Sequence, residues 1–342
     1  MYLVLPTEAE NPYRSNERCA VISTSDPCEH AASLRGWSQD YLQLSAGRFS
    51  GKIVEITTSP VQVFKETIHS CVDQKANPRR DSYTVGVPIH VAENGYWQGH
   101  RLHRDSLMTL RPNEELFFRT PPESSILVTV IDCAAFDYFS NGTSNVDIAS
   151  LIKRAKTGGF PPPAAEHFRT VLKNVLVSVI STPEVLEHAA SQKAIVETVM
   201  NTSLDALVAR AKEGDPPRSS HSVQRAIVER ARQFILANRE HPPTVSDLSF
   251  YLKMSRRGLH HAFMNVLGVN LTTFLRYVRL HGVRKELLQA SPTDSVTRIA
   301  CEWGFWHMGM FSSYYKKLFG ETPSTTLRKL APPSRSGLKK AQ

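Results

Sequence analysis

"HHAFMNVLGVNLTTFLRY" (His260–Tyr277) and "SSYYKKLFGETPSTTLRK" (Ser312–Lys329) superimpose at a constant offset of 52 residues, with Phe263 on Tyr315, Leu267 on Phe319, Gly268 on Gly320 and Arg276 on Arg328. Self-similarity of this kind means one supersecondary unit written twice. A short amphipathic stretch precedes each copy, "TVSDLSFYLKM" and "SVTRIACEWGF", and its Val245/Leu248 and Val296/Ile299 pairs correspond at an offset of 51. One extra residue therefore enters the second turn. Helix, tight turn, helix, with a Thr or Ser in front as N-cap, is the helix-turn-helix layout. Two such units joined by one long helix, "LTTFLRYVRLHGVRKELLQ" (Leu271–Gln289), predict a bipartite reader whose two helices enter successive major grooves, about 34 Å apart.

Within that frame "WHMGMF" (Trp306–Phe311) has a structural reading. On a helix starting near His307, the residues Phe311, Tyr315 and Leu318/Phe319 share one face, while Trp303 and Phe305 close the turn beneath it. A soft-metal or haem site needs further ligands beyond one histidine with methionines one and three positions away.

Charge supports a polyanion partner for this part of the chain. From Ser220 to the end there are 19 Lys+Arg against 7 Asp+Glu, a balance of +12, while the remainder carries 22 against 25, or −3. All of the excess of +9 thus sits in the last third. A basic face can also be no more than solvated surface.

A length of 342 residues suits two domains. The clearest seam is "EGDPPRSSHS" (Glu213–Ser222), where Gly, Pro and Ser separate two helical patterns. The expected organisation is an N-terminal domain over 1–213, a linker over 214–221, a DNA-binding domain over 222–331 and a disordered basic tail over 332–342; the resemblance given below implies effector sensing and dimerisation for the first. Five scattered cysteines without C-x-x-C spacing read as ordinary thiols. No stretch reaches the roughly 18 apolar residues of a membrane span, and no basic start followed by an apolar run opens the chain. A soluble, cytoplasmic protein is expected.

The fold class expected is α+β. Between Tyr41 and Asp132 six or more short alternating runs, among them "GKIVEITTS", "VQVFKETI" and "SILVTVI", suggest a barrel or sandwich. "DSLMTLRPNEELFFRT" reads as strand, Pro-Asn turn and strand, which suits a jelly roll of the cupin kind. Helices are expected near Val146–Ala155, Ala164–Ile180 and Pro183–Lys212, the last with Thr182 as N-cap and Pro183 at its first position. The second and third are candidates for dimerisation, or for covering the barrel. In the last third, Val223, Ile227, Ala231 and Phe234 are expected to line the buried face of one helix, Val245, Leu248 and Leu252 that of the next, and Leu259, Phe263 and Leu267 that of the third.

His100 and His103 near Glu114 and Glu115 raise a rival, a cupin-like metal enzyme fused to a DNA-binding tail. "HRLH" sends its two imidazoles to opposite faces of a regular strand, which disfavours it. No nucleophile elbow, P-loop or Rossmann glycine pattern is present. The sequence calls for no cofactor, no metal and no catalytic group. A second rival is an architectural DNA binder that responds to no ligand.

The residues now quoted carry a resemblance. "MSRRGLHHAF…LGVNLTTFLRYVRL" and "IACEWGFWHMGMFSSYYKKLFGETPSTTL", about 100 residues together with what lies between, resemble the AraC-type transcriptional regulators. "GFWHMGMF…YYKKLFGETPSTTL" and "QLSAGRFSGKI" resemble most the subgroup containing the ethanolamine-utilisation regulators and other amine or amino-acid catabolic activators. The resemblance implies an activator with an N-terminal effector-binding, dimerising domain. Its partners would be double-stranded DNA, RNA polymerase and a small-molecule effector of the amine or amino-acid kind, with a homodimer as the assembly and no membrane partner.

On the residues, Ser255 should cap the first recognition helix, leaving Arg256, Arg257, His260 and His261 outward and Leu259 and Phe263 inward. Arg257 and the two histidines match positions at which family members contact bases. The second helix, starting near His307, is poorer in donors: Gly309, Ser312 and Ser313 stand where the family often has Gln and Arg, and Trp306 replaces a small polar residue. Phosphate contacts, methyl contacts and shape reading are expected of it. Lys316, Lys317 and Arg328, with Thr322 and Thr325 in the final turn, are candidate phosphate anchors.

Overall fold

The computed structural model describes residues 15–16, 18–92, 95–144, 146–155, 157–213, 221–239, 241–291 and 294–328. They divide into two units, one running to Ser222 except for Leu44–Arg48, and one made of that short segment together with the chain from Val223 onward. The expected linker over 214–221, apart from its last residue, and the expected tail over 332–342 lie outside the described residues.

The first unit is a sandwich of antiparallel strands with helices on one face. In chain order it runs β1 (Ser15–Asn16), β2 (Cys19–Thr24), α1 (Pro27–Ser33), β3 (Ser38–Gln43), β4 (Gly51–Thr58), β5 (Val61–Ile68), β6 (Val72–Asn77) and β7 (Ser82–His90). It continues with β8 (Tyr96–Trp97), β9 (His100–Arg101), β10 (Ser106–Leu110), β11 (Leu116–Thr120), β12 (Ser124–Asp132), α2 (Cys133–Thr143), α3 (Ile148–Arg154), β13 (Gly158–Gly159), α4 (Pro162–Ser181) and α5 (Ala189–Ala211). One sheet has the order β1-β2-β4-β5-β12-β7-β10-β13 and the other β3-β6-β11-β8-β9. The Pro-Asn turn, with Asn113 at φ 59°, carries the chain from β10 in the first sheet to β11 in the second. The sandwich thus agrees with the β-rich domain expected from the alternating pattern.

Alternation along each strand splits the apolar residues between two cores. Val54, Ile56, Val61 and Val63 face outward and pack with Phe168, Leu172 and Leu176 of α4 and Leu204 and Leu207 of α5. Ile53 and Phe64, on the alternate positions, pack with Trp37, Trp97 and Phe118 between the sheets. Glu55 and Glu66 share that inward face, so this interior is partly polar. Tyr41 Oη donates to Glu66 Oε1 at 2.5 Å, and His30 Nε2 lies 3.2 Å from the same oxygen. Gln62 Nε2 donates to Glu55 Oε1 at 2.8 Å, and Trp37 Nε1 donates to Gln62 Oε1 at 3.2 Å. Residue 51 must be glycine here, because a Cβ would come within 2.6 Å of the His30 ring.

One sequence expectation changes in this unit. Thr182 and Pro183 open a short 3-10 turn, Pro183–Glu187, and the long helix begins only at Ala189. α4 and α5 lie over the sheet and bury their apolar faces there.

The second unit holds seven helices among the described residues: α6 (His221–Ala237), α7 (Val245–Leu252), α8 (Arg256–Leu267), α9 (Leu271–Leu287), α10 (Val296–Glu302), α11 (Met308–Phe319) and α12 (Pro323–Arg328). The stripe expected on α6 is rotated. Val228, Ala231 and Ile235 are buried, whereas Val223 is 67% exposed and Phe234 stacks on Tyr251 with ring centroids 4.1 Å apart. Arg225 and Arg232 share the buried side, and an apolar count could not place them there. α9 serves both repeats: Phe274 packs on Phe263, and Leu280, Val283 and Leu287 join the core around Trp303, Phe311 and Tyr315.

Candidate nucleic-acid interface

Local capping chemistry builds each repeat. Thr244 Oγ1 accepts from the Asp247 backbone N–H at 3.3 Å while the Asp247 carboxylate accepts from the Thr244 N–H at 2.8 Å, a reciprocal box that starts α7. These bonds from Thr244 hold the Asp247 carboxyl below the usual carboxylate range. Ser295 Oγ starts α10 by accepting from the Arg298 N–H at 3.1 Å. The turns that follow use a left-handed residue, Lys253 at φ 53° in the first repeat and Gly304 at φ 77° in the second.

The second helices of the two repeats, α8 and α11, are then laid down alike. Ser255 Oγ accepts from the Gly258 N–H at 3.1 Å, and His307 Nδ1, 52 positions on, accepts from the Met310 N–H at 3.3 Å. Gly268 at φ 69° and Gly320 at φ 70° close the two helices. Asn270 Oδ1 accepts from the Thr273 N–H at 2.8 Å to open α9, and Thr322 Oγ1 accepts from the Thr325 N–H at 3.2 Å to open α12. In the "GETP" stretch (Gly320–Pro323) Gly ends one helix, Thr caps the next and Pro sits at its first position. Glu321 Oε1 accepts from Arg284 Nη2 at 2.8 Å.

That arginine is 1% exposed, and it also meets Tyr315 Oη at 3.2 Å and lies over the Phe319 ring at 4.6 Å. Burial pushes the Tyr315 hydroxyl up to about 12. Trp303, 6% exposed, lies against the backbone of α9 at Gly282, where a Cβ would meet its ring at 2.3 Å.

Leu259, Ala262, Phe263, Val266 and Leu267 of α8 are buried, and so are Phe311, Tyr315, Leu318 and Phe319 of α11. What remains outward on α8 is Arg256, Arg257, His260, His261, Met264 and Asn265. On α11 it is Gly309, Met310, Ser312, Ser313, Lys316 and Lys317, with His307 and an 86% exposed Trp306 just ahead. Several of these groups have partners. Arg256 Nη2 donates to Ser246 Oγ at 2.6 Å, Asn265 Nδ2 lies 3.2 Å from His261 Nδ1, and Arg328 Nε donates to the Ser324 carbonyl at 3.1 Å. Thr322 and Thr325 bring their hydroxyls within 2.8 Å of each other. Of the "WHMGMF" residues, Phe311 is core, packed 5.1 Å from Phe305, and His307 is a helix cap.

Arg257, His260 and His261 line a shallow concavity of about 780 Å³ with Gln224, Ile227 and Met264. A second, of about 520 Å³, gathers Arg256, Arg257 and His260 with Thr272, Thr273 and Arg276. Sequence reasoning matched Arg276 to Arg328 without carrying the phosphate role across, and it passed over Thr272 and Thr273. The offset of 52 could have found two of the three, since it maps Thr325 and Arg328 onto Thr273 and Arg276. In the first unit, His100 lies at a strand start and His103 beyond its end, while Glu114 pairs with Arg111 and Glu115 with Lys75. No helix among the described residues is long and apolar enough to cross a membrane.

Residues 248–329 match a family described as a helix-turn-helix domain. A probable thc operon regulatory protein of Rhodococcus erythropolis is 39% identical over 103 residues, covering 30% of this chain and 31% of that protein. The chain thus spans about a third of that relative's length. A solved structure, an AraC-type transcriptional regulator from Chromobacterium violaceum, is similar at 28% identity and a TM-score of 0.30, covering 33% of this chain and 98% of that one. A XylDLEGF operon transcriptional activator 1 of Pseudomonas putida is 31% identical over 255 residues, 70% of each chain. With a likeness of that extent running through both units, the chain belongs to the AraC-type family of transcriptional regulators.

Proposed function

We propose that this protein is a sequence-specific DNA-binding regulator, an effector-responsive activator of a catabolic operon, that acts in the cytoplasm and reads two adjacent major-groove sub-sites. The observation that carries this is the equivalence of α8 and α11: two 12-residue helices, capped 52 positions apart, each apolar within and polar without, on one helical scaffold. Binding, and no chemical transformation, is the activity. Relatives named as operon regulators support the catabolic assignment.

In this reading Arg256, Arg257, His260 and His261 face the bases of the first sub-site, where an arginine fork on guanine O6 and N7 contributes about 1–3 kcal/mol of discrimination. His307, Gly309, Ser312 and Ser313 approach the second sub-site, with Lys316, Lys317, Thr322, Thr325 and Arg328 toward its phosphates. RNA polymerase and a second copy of the chain are the protein partners, the copies meeting through the exposed faces of α4 and α5. The effector is an amine or amino acid, as in the ethanolamine-regulator-like subgroup. In support, the inter-sheet interior carries the carboxylates of Glu55 and Glu66, and Glu55 Oε2 has no hydrogen-bond partner among the described residues. Effector binding would shift the population able to engage DNA.

The test is footprinting of the full-length protein on DNA upstream of its own and adjacent genes, with and without candidate amines. Two protected sub-sites one helical turn apart, about 10–10.5 bp centre to centre, are expected. A single protected sub-site, or protection indifferent to sequence, would overturn the reading.

A further inference from the structure

We infer that the concavity between α8 and the start of α9 is a seat for one DNA backbone phosphate, anchored by Arg276, with Tyr314 of the second recognition helix as the residue that positions this arginine. The inference deepens the DNA-binding reading and rests on it. Arg256, Arg257 and Arg276 with His260 line a space of about 520 Å³, and no carboxylate lines it among the described residues. Three guanidinium groups brought to one concavity repel one another unless an anion enters. The partners recorded for two of them supply no negative charge: Arg256 meets the Ser246 hydroxyl at 2.6 Å, and Arg276 lies over the face of Tyr314 at 4.1 Å.

These same contacts fix the two side chains before any ligand arrives, which lowers the entropic cost of binding. The first turn of α9, through Thr272 and Thr273, lines the remaining wall; the Thr273 N–H is already taken by Asn270 Oδ1, so the guanidinium groups are what hold the anion. Guanidinium forks match the geometry of phosphate oxygens. Arg257 and His260 belong both to this wall and to the outward face of α8, so the bound anion lies at the edge of the groove that α8 enters. A phosphodiester of the same duplex meets that requirement.

The second repeat has no such seat among the described residues. Met308 and Gly309 stand in place of Arg256 and Arg257, and Arg328, the counterpart of Arg276, turns back to the Ser324 carbonyl. Because Arg276 is held by a residue of α11, its phosphate belongs to the stretch of backbone between the two sub-sites.

The experiment uses the full chain and a duplex recovered by selection from random DNA. Arg276→Gln should weaken specific and non-specific duplexes alike, by about tenfold, and lower the slope of log K against log salt by about 1. Arg276→Lys should restore most of the slope. Tyr314→Phe should bind like the wild type, and Tyr314→Leu should fall toward Arg276→Gln. A scan of single neutral methylphosphonates should find one position, between the sub-sites, whose neutralisation weakens the wild type but not Arg276→Gln. An unchanged salt slope in Arg276→Gln, with Arg257→Ala still impaired, would reject the seat and leave the regulator reading standing. Should Arg276→Gln fail to fold, the scan on wild-type protein decides alone, and the absence of a sensitive phosphate between the sub-sites rejects the seat. Absence of DNA binding by the wild type would reject both.

Discussion

α8 and α11 have the same length, the same kind of cap at each end and nearly the same pattern of buried positions, Ala262 being buried where Tyr314 is half-buried, yet their outward faces carry different chemistry. α8 concentrates its donors at the N-terminal half, Arg256, Arg257, His260 and His261, the part of a recognition helix that reaches base edges. α11 offers Gly309, Ser312 and Ser313 at the equivalent places and keeps its charges, Lys316 and Lys317, for the last turn. Lysines there also complement the negative end of the helix dipole, so part of their value is structural. Duplication preserved what makes each hairpin fold and left the exposed positions to diverge.

Four measurements would break or sharpen that contrast. The largest effect is expected from Arg284→Ala, which leaves Glu321, Tyr315 and Thr326 without their buried partner. Removing one member of a buried pair costs roughly 3–5 kcal/mol, here read as lost stability in denaturant titration. Hydrogen exchange should place the damage in α10–α12, and equal exposure of α7 and α8 would show that the two repeats do not fold as separable cores. Next comes the reading itself. Arg257→Ala should cost about 1–3 kcal/mol on the preferred duplex and relax preference at one base pair. Lys316→Ala should weaken all duplexes alike and lower the salt slope by about 1. Indistinguishable profiles in competition binding would erase the division of labour between α8 and α11.

Smaller again is Lys253→Gly. Lys253 holds φ 53° where the second repeat has Gly304, and relief of a left-handed side chain, offset by the extra backbone entropy of glycine, should raise the thermal midpoint by the equivalent of about 1 kcal/mol at most. A lowered midpoint would mean that the lysine side chain has a stabilising role of its own. The smallest effect belongs to Asp247→Asn. The folded pKa of Asp247 is depressed by its bonds to Thr244, so its contribution is full above about pH 4, the unfolded value, and drains away as acid passes through the lowered folded value. The variant should melt earlier at neutral pH and converge with the wild type in acid, once the pH falls below the lowered folded value. No convergence in acid would show that the carboxylate charge is not what matters there.

Much of this architecture could be read from the chain, because the signals are local. Ser255, Gly268, Gly320, Thr322 and Pro323 act within a few residues of themselves, and their spacing survives in any environment. Partners across the fold were harder. Alternation placed Ile53 and Glu55 on one strand face, but gave no means of knowing that β10 and β11, neighbours in sequence, join different sheets. Charge misled in part: Arg225, Arg232 and Arg284 contribute to the basic excess of the last third and yet are buried, so fewer cations face solvent than the count suggests. The same reasoning left Arg276 aside, since a lone basic residue on a long helix gives no sign of the ring it lies over.

On the proposed function, the sharing of α9 between both hydrophobic cores has a consequence for any operator. Phe274 belongs to one core and Leu280 to the other, less than two helical turns apart, with no glycine-rich or proline-containing joint between them. The gap between the two prongs is therefore set like the teeth of a comb. A promoter that gained one base pair between its sub-sites would be mismatched in phase as well as in distance, and evolution of new targets would proceed by changing letters within the half-sites while keeping their interval.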